Sequence, residues 1–274
     1  MPPGPSRRIK MKGAILDIDG VLKRGNTPID GAVESVNAMI DHGMKLMLLS
    51  NNSTRTRDQL IRSLKGMGFP EMAAVNSAHA SAVYLAEESR AKSVLALGED
   101  GLFEELRETG LDVTIAGKGM SIQGILKDEK KYDAVVVGMN RALGYNTIAH
   151  AVNAIRDGSP FVATNTDPTF PVEDGKVIPG AGSAVMPVSY CSGVKPVIVG
   201  KPNPYSTKLA LEEMGLDPRD VMVIGDRADT DIEAGRSAGC QVARVLTGDV
   251  GIFDGEEYPV EKDLITLVKR HILD

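Results

Sequence analysis

The chain contains the stretch GAILDIDGV at residues 13–21, where a hydrophobic run breaks into a glycine turn. Asp17 and Asp19 lie two positions apart, so they would share one face of a strand, yet a turn that begins at Gly20 can redirect the second carboxylate. Carboxylates crowded at the end of a buried strand are costly unless a cation or hydrogen bonds compensate them. The pair therefore indicates a metal or catalytic site. An Asx-type turn is the alternative that this stretch alone leaves open.

Composition narrows the class of protein. The 274 residues suit one large domain or two modest ones, and 42% hydrophobic with 25% charged residues are typical of a globular chain with a core. A net charge of -6, with no basic stripe beyond the cluster at residues 7–12, argues against nucleic-acid binding. Apolar runs fall short of the roughly 20 residues of a membrane span, and residues 1–6 lack the apolar segment of a secretory signal. We therefore expect a cytoplasmic protein that binds neither nucleic acid nor membrane.

Cysteine and histidine offer no obvious metal site. Cys191 and Cys240 are far apart, in apolar or small-residue surroundings, which favours a reduced compartment and packing roles. The histidines show no ligand spacing and fall within predicted helices or at their ends, so we interpret them as surface or hydrogen-bonded half-buried residues: His42, His79, His150 and His271.

Short β-rich runs alternate with helical patterns along the chain, which is typical of a parallel α/β sheet. Strands of a first sheet are predicted at residues 14–16, 45–49, 196–200 and 220–225. Helices are predicted at residues 31–42, 57–67, 77–88, 102–109, 147–157 and 261–271, and further strands at residues 93–97, 134–137, 161–164 and 241–246. A series of βα units beginning near Ala91 forms an inserted module, and a stretch rich in Pro and Gly around residues 168–182 excludes long regular elements.

Polar clusters follow the four strands of the first sheet. In an open parallel sheet, ligands bind beyond the carboxyl ends of the strands, where all four clusters can meet. They resemble, in this order, the four motifs of the haloacid dehalogenase (HAD) superfamily, and they occupy residues 17–19, 50–52, 200–202 and 225–231.

The resemblance covers nearly the whole chain from Lys12 onward. It implies a Rossmann-like parallel-sheet core at residues 12–90 and 188–274, an inserted α/β cap domain at residues 91–187 and a flexible N-terminal extension at residues 1–11. A cap of this kind between the second and third motifs is similar to that of the NagD-like phosphatases, a group that includes the 4-nitrophenyl phosphate phosphatases.

Catalytic roles follow from the resemblance. Asp17 resembles the family's nucleophile, which attacks phosphorus to form an aspartyl-phosphate intermediate. Asp19 matches the acid/base residue, which protonates the leaving alkoxide and then activates water. Because phosphatases carry Asp at this second position and dehalogenases do not, the resemblance implies a phosphatase of small phosphomonoesters.

Other residues of the motifs are expected to hold the phosphoryl group. Ser50 resembles the hydroxyl donor, with backbone N–H groups of Asn51 and Asn52 beside it, and a strand-to-helix cap is the alternative. Lys201 resembles the lysine that neutralises the nucleophile and the phosphoryl group, and a surface lysine in a turn is the alternative. Arg55 is expected either to contact substrate or phosphate or to begin a surface helix.

The resemblance also implies a magnesium site. Asp226 matches the Mg²⁺ ligand, and the Asp17 carboxylate and the Asp19 backbone carbonyl are its expected partners, an all-oxygen set that suits a hard cation. Asp231 is expected nearer the lysine and the waters around the metal than the metal itself. Asp229 is expected to face solvent.

The inserted module is expected to select the substrate. Candidate loops span residues 139–141 and 165–167, and position alone does not separate substrate contact from hydrogen-bonding turns for Asn140, Arg141, Asn165 and Asp167. Asn140 departs from the Asp that relatives commonly carry. The expected partner is a small phosphorylated metabolite, and the resemblance adds a homodimer formed through the cap.

Three other functions compete with hydrolysis. A receiver-like regulatory module also carries a phospho-accepting Asp and a Lys at strand ends, but it needs no inserted module. A HAD-fold protein that binds phosphate compounds without turnover is disfavoured by the intact Asp17 and Asp19. A phosphomutase of this superfamily carries a helical cap after the first motif, and the about 30 residues between Asp19 and Ser50 are too few for one.

Overall fold

The structure is a computed structural model that describes residues 11–172, 176–248 and 257–273. All of the predicted N-terminal extension except Met11 lies outside the described residues. The strands are β1 (Gly13–Leu16), β2 (Lys23–Arg24), β3 (Thr27–Pro28), β4 (Lys45–Ser50), β5 (Ala73–Asn76), β6 (Ser93–Leu97), β7 (Asp112–Ile115), β8 (Ala134–Val137), β9 (Phe161–Ala163), β10 (Thr169–Pro171), β11 (Val177–Pro179), β12 (Val197–Ile198), β13 (Val221–Gly225), β14 (Gln241–Val245) and β15 (Val260–Glu261). The α-helices are α1 (Ala32–Asp41), α2 (Arg57–Gly66), α3 (Ser77–Val83), α4 (Asp100–Glu108), α5 (Ile122–Ile125), α6 (Tyr145–Arg156), α7 (Gly182–Ser192), α8 (Tyr205–Met214), α9 (Glu233–Ser237) and α10 (Leu264–Val268).

Six parallel strands form the first sheet, in the order β15-β14-β13-β1-β4-β5. Successive residues face opposite sides: Ile15 and Val223 lie in one apolar cluster with α3 and α8, and Leu16 and Ile224 lie in another with α1 and α10. Because helices cover both faces, β1 and β13 are buried at every position. The parallel register brings the carboxyl ends of β1, β4 and β13 to one edge.

A second parallel sheet has the order β12-β9-β8-β6-β7, and α6 and α7 pack against one of its faces. The predicted fold class, a parallel-sheet α/β core with an inserted α/β unit, is confirmed.

The partner predicted for one strand is wrong. We assigned residues 196–200 to the first sheet, but Val197 and Ile198 pair with Val162 and Ala163 of β9. A buried apolar run has the same sequence pattern in either sheet, and here α7 packs beside α6 and returns the chain to the second sheet's edge. α7 also runs through residues 187/188, the predicted boundary between cap and core. The predicted domain boundaries at residues 11/12, 90/91 and 187/188 stay a prediction.

The sequence patterns did not predict two short hairpins. β2 pairs with β3, and within the stretch of residues 168–182 β10 pairs with β11, both antiparallel. Pro171 and Pro179 are tolerated there because a two-stranded ribbon has free edges on both sides. Residues of both hairpins line the cavity described below.

Local signals at helix ends agree with the structure. The Asn76 side chain accepts a hydrogen bond from the His79 N–H and caps α3, and a π-helical turn continues this helix to Glu88, as predicted. Thr56 and Gln59 form a capping box at the start of α2. Cys240 is buried, but Cys191 is exposed on α7, so its predicted packing role is wrong. No helix of the described residues is long and apolar enough to cross a membrane.

Candidate active site

The carboxyl ends of β1, β4 and β13 border a cavity of about 1000 Å³ that also reaches the loop after β9. The cavity brings all four predicted clusters together, although Lys201 arrives from the second sheet. The predicted site residues that line it are Asp17, Asp19, Ser50, Asn51, Asn52, Lys201, Asp226 and Asp231.

The Lys201 ammonium group lies between two carboxylates of this cavity. Its Nζ donates to Asp17 Oδ1 at 2.5 Å and to Asp231 Oδ1 at 2.5 Å, and the lysine is only 3% exposed. Burial opposes the ammonium charge, but Asp17 and Asp231 outweigh it and raise the pKa of Lys201 above its usual value. A fixed positive charge therefore lies against the Asp17 carboxylate.

The electrostatics of Asp17 favour a cation. Burial raises the pKa of Asp17 well above its usual range; Lys201 opposes this effect, and the carboxylates of Asp231 and Asp226 add to it. One oxygen each of Asp17, Asp226 and Asp231 lie within 4.8 Å of one another. Three carboxylates beside one lysine form a negative, all-oxygen cluster, which is the donor chemistry that Mg²⁺ prefers.

Two of these carboxylates are better placed than the third to hold a metal. Asp231 already accepts bonds on both oxygens, from Lys201 Nζ and from the Arg227 N–H at 3.1 Å. Asp226 packs against the backbone of Gly20 and Gly248, where an added Cβ would meet Asp226 Oδ2 at 2.4 and 1.8 Å. Glycine at both positions is therefore required to admit the carboxylate.

Asp19 has a separate partner. Lys23 Nζ binds Asp19 Oδ1 and donates to the Gly25 carbonyl at 3.1 Å. Gly20, at φ 94°, begins the turn that brings Lys23 back to Asp19. The two carboxylates of the opening stretch thus bind different lysines, and the sequence patterns did not single out Lys23.

Ser50 is the last residue of β4, and Asn52 lies two residues beyond it. The buried Ser50 hydroxyl accepts a hydrogen bond from the Asn52 N–H at 3.1 Å. Asn52 Oδ1 accepts from the Thr54 N–H at 2.8 Å, an Asx turn that starts the connection to α2. The turn lays both residues along the cavity wall.

The side chain and the backbone carbonyl of Asn51 both form hydrogen bonds. Its Oδ1 accepts from the Lys201 N–H at 2.9 Å, and its Nδ2 donates to the Lys201 carbonyl at 3.0 Å and to Asp167 Oδ2 at 2.9 Å. Its carbonyl accepts from Asn165 Nδ2 at 2.7 Å. Asn51 therefore joins β4 to the Lys201 loop and to the loop after β9.

That loop brings a further carboxylate to the cavity. Burial raises the pKa of Asp167, against the hydrogen bond from Asn51 and the charge of Arg227, whose Nη1 lies 3.9 Å away. Arg227 also pairs with Asp229 at 2.8 Å, and Asp229 is exposed, as predicted. The sequence patterns did not assign Arg227, because its partner Asp167 lies far away in the chain.

Some predicted candidates lie elsewhere. Arg55 lines a neighbouring cavity of about 850 Å³, which shares Asp19, Lys23 and Asn52 with the first. Asn140 Oδ1 accepts from the Ala142 N–H at 2.8 Å, and Arg141 pairs with Glu99 at the surface. Both residues line this second cavity, and their role stays a prediction.

Comparison with known proteins agrees with this geometry. Residues 14–112 match a family model described as haloacid dehalogenase-like hydrolase, and residues 198–267 match one described as HAD-hydrolase-like. The acid sugar phosphatase of Staphylococcus saprophyticus is 35% identical over 239 residues, which cover 86% of this chain and 87% of the relative. The chain is a phosphatase of the haloacid dehalogenase-like hydrolase family.

Solved structures place this phosphatase in the NagD-like group. NagD from E. coli has a TM-score of 0.81 at 28% identity and covers 93% of this chain and 98% of its own. A p-nitrophenyl phosphatase from Archaeoglobus fulgidus has a TM-score of 0.83 at 34% identity, with 95% and 99% covered. A glycerol phosphate phosphatase from Mycobacterium tuberculosis, in complex with magnesium, has a TM-score of 0.81 at 30% identity, with 94% and 76% covered.

Proposed function

We propose that this phosphatase hydrolyses small phosphomonoesters with Mg²⁺, through an aspartyl-phosphate intermediate on Asp17. The observation that carries the proposal is the Asp17 carboxylate at the end of β1, held at 2.5 Å by the buried Lys201. A carboxylate fixed in this way, at the base of a large cavity, is an oriented nucleophile for a phosphoryl group.

The first step forms the intermediate. An Asp17 oxygen attacks phosphorus while the bond to the ester oxygen breaks, and Asp19 gives its proton to that departing oxygen, so that an alcohol leaves. Lys201 and the Ser50 hydroxyl stabilise the negative phosphoryl oxygens during the transfer. Lys23 must release the Asp19 carboxyl for it to carry this proton.

The second step restores the enzyme. Asp19, now ionised, takes a proton from a water molecule, and the resulting oxygen attacks phosphorus. The bond between phosphorus and Asp17 breaks, inorganic phosphate forms, and Asp17 is again a carboxylate beside Lys201. Asp19 ends protonated, ready for the next leaving group.

Magnesium fits the residues that the site offers. Asp17, Asp226 and the Asp19 carbonyl would hold the ion, and Asp231 would hold Lys201 next to it. When bound, Mg²⁺ supplies positive charge that offsets the three carboxylates and the substrate dianion. The magnesium bound to the similar glycerol phosphate phosphatase supports the choice of ion.

The substrate class rests on the relatives and on the cavity. These relatives are named as phosphatases of sugar, glycerol and p-nitrophenyl phosphates, all monoesters with small leaving groups. The loop after β9 forms part of the cavity wall and carries Asn165 and Asp167. We infer a small phosphorylated metabolite whose leaving group meets this wall. A cytoplasmic location and a homodimer through the inserted unit stay predictions.

Steady-state hydrolysis of 4-nitrophenyl phosphate, with Mg²⁺ and with excess chelator, tests the proposal. We expect turnover that requires Mg²⁺ and falls by at least about 10³-fold in Asp17→Asn, because the amide is no nucleophile. Asp41→Asn, at an exposed position of α1, is the matched control and should keep full activity. Unchanged turnover in Asp17→Asn would exclude Asp17 as the nucleophile, and no turnover of any monoester in the wild type would favour phosphate binding alone.

A panel of phosphorylated metabolites then resolves the substrate. Sugar phosphates, glycerol phosphate and phosphoglycolate differ in size and charge, so their kcat/KM values report which leaving groups the cavity admits. The proposal predicts the highest kcat/KM for a small monoester and none for a phosphodiester.

A further inference from the structure

We propose that Asn51 is a positioning residue for Lys201: its side-chain amide fixes the lysine backbone and is itself held by Asp167. The inference rests on the proposed function, because it assumes that Lys201 binds the phosphoryl group. It concerns the Asn51 side chain, whereas the sequence-based prediction places the Asn51 backbone N–H beside the phosphoryl group.

The Asn51 side-chain amide forms two hydrogen bonds with the Lys201 backbone, one with its N–H and one with its carbonyl. Asn51 Oδ1 accepts from the Lys201 N–H at 2.9 Å, and Asn51 Nδ2 donates to the Lys201 carbonyl at 3.0 Å. Since an N–H needs an acceptor and a carbonyl needs a donor, these two bonds also fix which end of the amide is nitrogen. With both backbone groups held, the lysine side chain reaches Asp17 and Asp231 from a fixed origin.

The glycine before Lys201 leaves room for this pairing. Gly200 precedes the lysine, and a Cβ there would meet Asn51 Oδ1 at 2.7 Å and the Thr164 carbonyl at 2.4 Å. A side chain at position 200 would therefore push the Asn51 amide away from Lys201. The segment after β4, the loop after β9 and the Lys201 loop all meet at this one glycine.

Asp167 completes the arrangement. Its Oδ2 accepts the other Asn51 Nδ2 proton at 2.9 Å, and Asn165 Nδ2 and Ser77 Oγ bind the Asn51 carbonyl at 2.7 and 2.6 Å. Asp167 and Asn165 belong to the loop after β9, so the second sheet contributes to the placement of the lysine. Because its oxygen and nitrogen bind protein groups, the Asn51 side chain acts on the phosphoryl group through Lys201.

Asn51→Leu tests the idea, because leucine has a similar size and makes no hydrogen bonds. We expect kcat for 4-nitrophenyl phosphate to fall by about 10- to 100-fold, the effect of a slightly misplaced catalytic group. Asn51→Asp, which keeps an acceptor for the Lys201 N–H but loses both donated bonds, is the second variant should leucine prevent folding. Asn146→Leu is the matched control: it loses one amide bond to Met120 outside both cavities and should keep kcat within about twofold.

A double-mutant cycle with Lys201→Met separates positioning from direct contact. The readout is the affinity for orthovanadate, which needs no turnover. If Asn51 acts through Lys201, Asn51→Leu weakens vanadate binding by at least about fivefold in the wild type and has almost no effect in Lys201→Met. Equal losses in both backgrounds, or no loss in either, would overturn the inference. An inactive wild type would instead count against the proposed function alone.

Discussion

Replacing Lys201 by methionine removes the only lysine that binds Asp17 in the described residues, while keeping most of the side-chain volume. Two carboxylate oxygens lie 2.5 Å from Lys201 Nζ. At an effective dielectric constant of roughly 20, each contact is worth about 7 kcal/mol before the cost of removing the charges from water is subtracted. Because that cost is several kcal/mol per ion, loss of the lysine is expected to lower the free energy of unfolding by about 3–5 kcal/mol.

Activity should fall together with stability. In the proposed mechanism Lys201 stabilises the phosphoryl oxygens, so kcat for 4-nitrophenyl phosphate should fall by at least about 10²- to 10³-fold in Lys201→Met. Thermal unfolding in chelator should show a Tm lowered by about 5–15 °C. Added Mg²⁺ should raise this Tm more than that of the wild type, because the cation neutralises the carboxylates that the lysine leaves behind.

The control is Lys208→Met, which removes an exposed lysine on α8 and should change neither Tm nor kcat appreciably. A Lys201→Met enzyme that keeps its Tm in chelator and more than a tenth of its kcat would contradict this prediction. It would show that the contacts at 2.5 Å carry little electrostatic energy.

Three further predictions concern other parts of the molecule. Asp226→Asn should raise the Mg²⁺ concentration for half-maximal activity by at least about tenfold, measured by metal titration of turnover; an unchanged value would exclude Asp226 as a ligand. Although burial raises it, hydrogen bonds from the Lys130 N–H and His150 hold the pKa of Asp128 below its usual value. The stability that Asp128 contributes is therefore full above about pH 4 and is lost as pH falls through its folded-state pKa. The difference in free energy of unfolding between wild type and Asp128→Asn, about 1 kcal/mol at neutral pH, should therefore shrink in acid, as measured by thermal unfolding at each pH. Arg141→Ala should lower stability by less than about 1 kcal/mol and leave kcat/KM unchanged, because its pairing with Glu99 is at the surface; a large rise in KM would place Arg141 on the substrate.

The sequence predicts what is local in this structure. Asp17, Ser50 and Asp226 each follow a buried apolar run, so the strand and the polar cluster at its end are both visible in a few residues. Parallel sheets collect such ends at one edge, and this rule places the three side chains in one cavity before any contact is known.

Contacts between distant parts of the chain are not predictable in this way. The strand before Lys201 has the same apolar pattern in either sheet, and its pairing with β9 depends on how α7 packs. Asn51 binds Lys201 and Asp167 across 150 and 116 residues, and no spacing rule connects them. The Asp19–Lys23 pair is closer in sequence, but it forms across a glycine turn rather than along a helix, where a charge pair four residues apart is expected.

The proposed mechanism depends on covalent phosphorylation of Asp17 during turnover, which chemical trapping can detect. Borohydride reduction of an aspartyl-phosphate gives homoserine, which peptide mass spectrometry can locate. Enzyme quenched during turnover with Mg²⁺ and substrate should contain homoserine at position 17, and enzyme without substrate should contain none. Homoserine at another aspartate, or none in an enzyme that is turning over, would contradict the account.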